Sequence, residues 1–220
     1  DPGSPIPVFV MFIKICGITR LADALNAVRH AADALGFVFW RGSPRHIDPP
    51  RAAEIIGGLP QGVMSVGVFV NDSVDSIREI VAQTGISAVQ LHGDEPAEYA
   101  VALDRPVMRA IRVEEAEDTC PAWPVNTTFL VDATDRIQRG GTGRIVDWDR
   151  ASTLARNRRI VLAGGLTSAN VADAIVRVGP YGVDVSSGGE DAPGLKNSEL
   201  VARFLESARS AFERREIGRH

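Results

Sequence analysis

The sequence predicts a single-domain (β/α)8 barrel of the TIM type, and three observations carry that prediction. Short apolar, β-branched runs alternate eight times with helical patterns, roughly every 26 residues. The runs are apolar throughout, as expected of parallel strands covered on both faces. The last two runs, ending in Ala163-Gly164-Gly165 and Ser186-Ser187-Gly188-Gly189, stop in small residues that suit an anion-binding cup. Loops after strands seven and eight of such barrels often hold phosphate. An open doubly wound sheet is the alternative, because closure is not written in a sequence.

Taken in order, Phe12-Ile13-Lys14-Ile15-Cys16 reads as the first strand, and Thr19 as the cap of a helix with Leu21, Leu25, Val28 and Ala32 inward. Ala34 to Phe39 is the second strand. Asp48-Pro49 then opens a helix, with proline at its first position. Val66 to Val70 is the third strand, and Val74, Ile77 and Ile80 mark a helix closed by Gly85. Ala88 to Leu91 is the fourth, followed by a helix to about Leu103. Val107 to Ile111 is the fifth, and the connection through Cys120, Pro121, Trp123 and Pro124 reads as irregular. Thr128 to Asp132 is the sixth, followed by the glycine loop Gly140-Gly141-Thr142-Gly143 and a helix opened by Asp147-Trp148. Between the seventh and eighth strands, Thr167 or Ser168 caps a helix with Val171, Ala174, Ile175 and Val178 inward. A last helix from about Ser198 turns Leu200, Phe204, Ala208 and Ala211 inward.

Composition narrows the function. The 220 residues are 45% hydrophobic and 24% charged, the balance of an ordinary globule. A net charge of -4 and no long basic run point away from nucleic acid. Two cysteines are too few for a disulfide framework, and the apolar run Val8–Ile13 is too short for a bilayer. A cytoplasmic location is expected. Residues 1–10, with three prolines and followed by Met11, read as an N-terminal extension or cloning residue, and 11–220 as the barrel domain.

In a barrel, the polar residues ending the strands share one face. Here these are Cys16, Arg45 in the following loop, Gln90, His92 and Asp132, beside the glycine cup. A cysteine is often a small buried hydrophobe, but a strand end aims Cys16 at the pocket. Lys14, two residues earlier on the same strand face, is a source of positive charge. Asp132 closes a mostly apolar run, where a carboxylate is costly unless solvated, paired or used. Its structural reading is a partner for a loop amide, Arg45 or Lys14; its chemical reading is a general acid. Arg45 can fork onto a substrate carboxylate, with Arg41 as the exposed-loop alternative. Cys16 and His92 alone make a poor zinc site, so no metal is expected. Asp184 reads as a structural buried acid.

Several of these stretches resemble one family. Lys14-Ile15-Cys16-Gly17-Ile18-Thr19, Gly36-Phe37-Val38-Phe39, Ser43-Pro44-Arg45, Val89-Gln90-Leu91-His92-Gly93, Gly140-Gly141-Thr142-Gly143, Gly164-Gly165-Leu166 and Val183-Asp184-Val185-Ser186-Ser187-Gly188 are similar to phosphoribosylanthranilate isomerases. The likeness runs from Phe12 to about the last helix, and Glu114 to Thr127 aligns least. It implies a cofactor-free (β/α)8 enzyme of tryptophan biosynthesis that carries out an Amadori rearrangement. Cys16 matches the family's general base, Asp132 its general acid, and Arg45 the residue near the anthranilate carboxylate. Gly164, Gly165, Ser186, Ser187 and Gly188 match the phosphate site. Gln90, His92, Gly141 and Gly143 are expected to line the substrate. The expected partner is a phosphorylated small molecule, with neither nucleic acid nor membrane, and the chain a monomer or homodimer. A dual-substrate sugar isomerase of histidine and tryptophan synthesis uses carboxylates for both roles, so Cys16 argues against it. A catalytically silent phosphate-binding barrel is the non-enzymatic alternative.

Overall fold

The computed structural model describes residues 11–132 and 147–217. Eight parallel strands close a barrel in chain order: β1 (Phe12–Cys16), β2 (Ala34–Val38), β3 (Met64–Phe69), β4 (Ala88–Leu91), β5 (Val107–Ile111), β6 (Thr128–Val131), β7 (Ile160–Leu162) and β8 (Gly182–Val185). The ladder from Phe12↔Gly182 to Ile15↔Val185 joins β8 to β1 and excludes the open-sheet alternative.

Both faces of each strand are buried, yet the two faces differ. Ile13, Ile15, Leu35, Phe37, Phe129 and Leu162 point outward into the layer between barrel and helices. Phe12, Ala34, Val66, Ala88, Met108, Leu130 and Val161 point inward and fill the barrel floor. Cys16, Val38 and Val68 form a smaller apolar patch higher up. The alternation was hidden in the sequence because water reaches neither face.

The surrounding helices are α1 (Leu21–Arg29), α2 (Pro49–Gly57), α3 (Val74–Thr84), α4 (Tyr99–Ala102), α5 (Ala116–Thr119), α6 (Trp148–Ala155), α7 (Val171–Val178) and α8 (Ser198–Ile217). The four residues expected to face inward on α7 are all buried. Gly85 closes α3 in the left-handed conformation at φ +72°. Asp147 caps α6 by accepting from the Asp149 and Arg150 N–H groups. The irregular connection after β5 holds only the one-turn α5 between two 3-10 turns.

Other local expectations are corrected. Thr19 does not cap α1, because its hydroxyl donates to the Gly194 carbonyl at 2.5 Å. The buried face of α1 carries Asp23, Ala24, Asn26 and Ala27, while Leu21, Leu25 and Val28 are only half-buried. The rotation follows from polar docking. Asp23 accepts from the Lys196 N–H, and the Asn26 amide donates to the Ser198 carbonyl at the start of α8. The N-cap of α7 is Asn170, whose side chain accepts from the Thr167 N–H, so neither Thr167 nor Ser168 holds that position. The helix after β4 shrinks to the single turn α4, and Val201 replaces Leu200 on the buried face of α8. A hairpin, β9 (Glu190–Ala192) and β10 (Leu195–Lys196), follows β8 and was not anticipated.

Candidate active site

The C-terminal ends of the strands form one rim, and most of the expected residues gather there. Cys16 ends β1, pointing inward with 8% of its surface exposed. Directly below it on the same face is Lys14, fully buried, whose ammonium donates to Asp184 Oδ1 on β8 at 2.9 Å. Space for both comes from Gly36 on β2. A Cβ there would lie 2.8 Å from the Cys16 sulfur and 3.2 Å from Lys14 Cε, so only glycine fits.

The charges around the sulfur oppose one another. Burial pushes the Cys16 thiol up; the Lys14 ammonium pulls it down, Asp184 pushes it up again and Lys196 pulls it down. The balance lies above the ordinary thiol range. Burial alone would lower the Lys14 ammonium, but attraction to Asp184 and Cys16 outweighs it and holds the lysine charged.

Across the rim, Asp132 follows β6, with its backbone N–H on the Ile111 carbonyl. Its Oδ2 lies 3.9 Å from His92 Nε2, beyond hydrogen-bond reach. His92 Nδ1 lies 2.9 Å from the Gln90 amide nitrogen, which can only donate. The imidazole therefore accepts at Nδ1 and, when neutral, carries its hydrogen on Nε2, toward Asp132. Burial lowers the His92 pKa more than Asp132 raises it, which favours that neutral ring. Gln90 Oε1 is buried and has no hydrogen-bond partner among the described residues.

Arg45 arches over the loop after β1. A Cβ on Gly17 would meet its Cδ at 2.6 Å and the Ser186 hydroxyl at 3.2 Å. Its Nε and Nη2 edge is forked onto Glu190, at 2.7 to 3.1 Å. The fork expected for a substrate is thus taken by the protein on one edge, while the Nη1–Nη2 end still offers paired donors. Arg41 is exposed, as expected of the alternative. Glu190 also accepts from the buried Lys196 ammonium at 2.7 Å and from the Gly194 N–H. Lys196 in turn donates to the Ser186 carbonyl.

Sequence reasoning missed Glu190 and Lys196. The signal available was Pro193-Gly194, a turn dipeptide whose glycine has φ +80° and closes the hairpin carrying both. The pairing also reassigns two partners proposed for Asp132. Lys14 goes to Asp184, and Arg45 to Glu190.

The cup forms where β7 and β8 end. Gly164 and Gly165 have φ of +81° and +65°, a left-handed pair after β7. Gly188, after β8, lets the two loops touch: a Cβ on it would sit 2.0 Å from the Leu166 carbonyl oxygen. The N–H groups of Gly164, Gly165, Ser187 and Gly188 make no hydrogen bond within the described residues. The Ser186 hydroxyl is buried without a partner there. Donors without acceptors, side by side, are what an anion requires. Gly141 and Gly143, like residues 1–10, lie outside the described residues. Among the described residues, no three His, Cys, Asp or Glu side chains are placed to hold a metal, and no helix is long and apolar enough to cross a membrane.

Comparison with known proteins agrees with this arrangement. The family model for N-(5'phosphoribosyl)anthranilate (PRA) isomerase matches residues 13–207. The N-(5'-phosphoribosyl)anthranilate isomerase of Pelobacter propionicus is 46% identical over 198 residues, 90% of this chain and 95% of that protein. Among solved structures, phosphoribosyl anthranilate isomerase from Thermotoga maritima superposes with a TM-score of 0.85 at 38% identity, covering 91% of this chain and all of that one. Another isomerase of this kind, in complex with reduced 1-(o-carboxyphenylamino)-1-deoxyribulose 5-phosphate, gives a TM-score of 0.81 at 36% identity, with the same coverage. An inward-facing thiol ending β1, a carboxylate following β6, glycine turns after β7 and β8 and these likenesses together place the chain in the N-(5'-phosphoribosyl)anthranilate isomerase family.

Proposed function

We propose that this chain converts N-(5'-phosphoribosyl)anthranilate to 1-(2-carboxyphenylamino)-1-deoxyribulose 5-phosphate in tryptophan biosynthesis, with Asp132 as general acid and Cys16 as general base. The observation that supports these roles best is that Cys16 ends β1 facing inward and Asp132 directly follows β6, both on the rim that carries the cup.

In this reading, the Asp132 carboxyl gives its proton to the furanose ring oxygen as the C1'–O bond breaks. The nitrogen lone pair forms a C1'=N bond, giving the protonated Schiff base. The Cys16 thiolate then removes the C2' proton, and the C–H electrons form C1'=C2' while the C1'=N electrons return to nitrogen. The enolamine tautomerises to the ketone as C1' takes a proton and the C2' hydroxyl loses one. No electrons leave the substrate, so the chemistry calls for no redox cofactor. Acid and base must hold opposite protonation states at one pH, which requires two different environments. Asp132 is partly open to solvent, whereas Cys16 sits over the buried Lys14–Asp184 pair.

The phosphate is assigned to Gly164, Gly165, Ser186, Ser187 and Gly188, far enough from the reacting carbons to supply positioning energy. The anthranilate carboxylate is assigned to the free end of Arg45. Gln90 and His92 line the space between, with Gly141 and Gly143 assigned to the same substrate. A cytoplasmic enzyme, monomeric or homodimeric, fits this role; a homologue from Thermotoga maritima is described as dimeric. Residues 11–220 are assigned to the barrel domain and 1–10 to an extension. The deciding experiment follows the loss of substrate fluorescence with purified protein. Turnover abolished by Cys16→Ala and by Asp132→Asn is expected; no turnover by the wild type would overturn the reading.

A further inference from the structure

The interior of the barrel holds a charge that the reaction above does not use. Lys14 is among the largest fully buried side chains, and above the apolar floor its ammonium meets Asp184 on β8. Replacing a buried ion pair by apolar residues of similar size often leaves a protein equally stable or more so. Stability is therefore a poor reason for a lysine at this place. The fold also makes room for it at a cost, since Gly36 gives up a side chain in the middle of β2 so that Lys14 Cε and the Cys16 sulfur can meet over its bare Cα.

We propose that Lys14 is a positioning residue for the base: its ammonium, anchored by the Asp184 carboxylate, stabilises the anionic sulfur of Cys16 that takes the substrate proton. The proposal rests on Cys16 being the base. Asp184 has a double role. It keeps the ammonium charged and in place, and it partly offsets the attraction that the ammonium exerts on the sulfur.

The other charges facing Cys16 are already committed. Lys196 on β10 reaches toward the sulfur but is bound to Glu190 and the Ser186 carbonyl. Arg45, in the loop after β2, is forked onto the same Glu190 on β9. His92, beyond β4, is favoured in its neutral form, and Asp132, beyond β6, lies next to His92 across the rim. Lys14 alone is a cation on the sulfur's own strand face, and its attraction is the largest of those that favour the thiolate.

The test titrates the thiol directly, without substrate, so it stands even if the chain acts on some other compound. In a Cys120→Ser background, the rate of Cys16 alkylation by iodoacetamide is followed against pH. Lys14→Met should move the midpoint upward by about one pH unit, a tenfold loss of thiolate at any lower pH. The double variant Lys14→Met/Asp184→Asn leaves no unpaired buried charge. It should show a smaller upward shift, because the repulsion from Asp184 is removed together with the attraction. In the activity assay, kcat near neutrality should fall in proportion and recover at alkaline pH, while KM stays close to wild type. An unchanged midpoint in either folded variant would overturn the proposal. Failure of both variants to fold would assign the pair to the scaffold and overturn it equally.

Discussion

Arg45 lays one edge of its guanidinium along both carboxylate oxygens of Glu190, with Nε at 3.0 and 3.1 Å and Nη2 at 2.7 Å. This fixes which edge can meet a ligand. The Nη1–Nη2 end, proposed to take the substrate carboxylate, is held in place because Glu190 is itself tied to Lys196 and the Gly194 N–H. Arg45→Gln should therefore weaken the reduced, open product analogue by tenfold or more. Charged hydrogen bonds contribute about 1.5–3 kcal/mol. The same analogue without its ring carboxylate should lose little. Equal losses for both ligands, measured by calorimetry, would place Arg45 outside the carboxylate site.

Glu190 also sets a pH dependence of stability. Burial opposes its charge, but the hydrogen bonds and attraction of Arg45 and Lys196 outweigh burial and hold it below the ordinary glutamate range. Its folded-state pKa is thus lower than its unfolded one. The stability it contributes is present above the unfolded value of about 4.3 and is lost as pH falls through the lower folded value. Glu190→Gln should lower Tm at neutral pH by leaving two cations uncompensated. Its deficit against wild type should shrink below roughly pH 4. A deficit that stays constant across thermal scans at both pH values would contradict the assignment.

Much of this site could be read from the chain because a barrel places strand ends together by construction. Cys16, Gln90 and the loop residues Asp132 and Gly164 each follow a short apolar run, and a run plus a polar terminus is a local signal. What stayed hidden depends on contacts distant in sequence. Lys14 and Asp184 are 170 positions apart, and only the β8–β1 ladder joins them. Arg45 and Glu190 are 145 apart. The Thr19 hydroxyl follows the same rule. It is a good local cap, but a carbonyl 175 residues away takes it. Local propensity sets the elements, while closure decides which polar groups meet.

The cup can be probed by charge and by shape separately. At Gly165 an added Cβ meets nothing within 4 Å, and Asp tolerates a left-handed φ better than most residues. Gly165→Asp should therefore add charge with little strain, raise KM steeply and abolish competitive inhibition by inorganic phosphate. Ser187→Glu should do the same. Gly188→Ala adds no charge but collides with the Leu166 carbonyl, so it should weaken phosphate by forcing the loops apart. If phosphate at roughly tens of millimolar leaves the wild-type rate unchanged, the cup is not a phosphate site.

The Cys16 thiol stands above its ordinary range, so thiolate is the minority form at neutral pH. A base works only when deprotonated, and kcat/KM follows the free enzyme. The acidic limb of the wild-type kcat/KM profile should therefore have its midpoint above the usual thiol value of about 8.5. A midpoint below neutrality would contradict the upward push that burial gives the thiol. Cys16→Ala should lower turnover by roughly 10²–10⁴-fold while leaving product affinity within a few fold. Retention of more than about a tenth of wild-type turnover would also count against Cys16.

Asp132→Asn separates acid from base. The amide keeps the size of the carboxylate and its hydrogen-bonding capacity but has no carboxylic proton to give. If Asp132 protonates the ring oxygen, its loss blocks ring opening, the step before Cys16 acts. An analogue already open and reduced needs no such step, so it should bind the variant nearly as tightly as wild type while turnover collapses. His92 gives a second readout. Its Nε2 lies 3.9 Å from Asp132 Oδ2, and the carboxylate is the strongest influence raising a ring that burial lowers. Removing that charge should lower the His92 pKa further, visible as a shift of its ring resonance titration toward acid. Near-wild-type turnover would make Asp132 a structural carboxylate and send the search for the acid elsewhere on the rim.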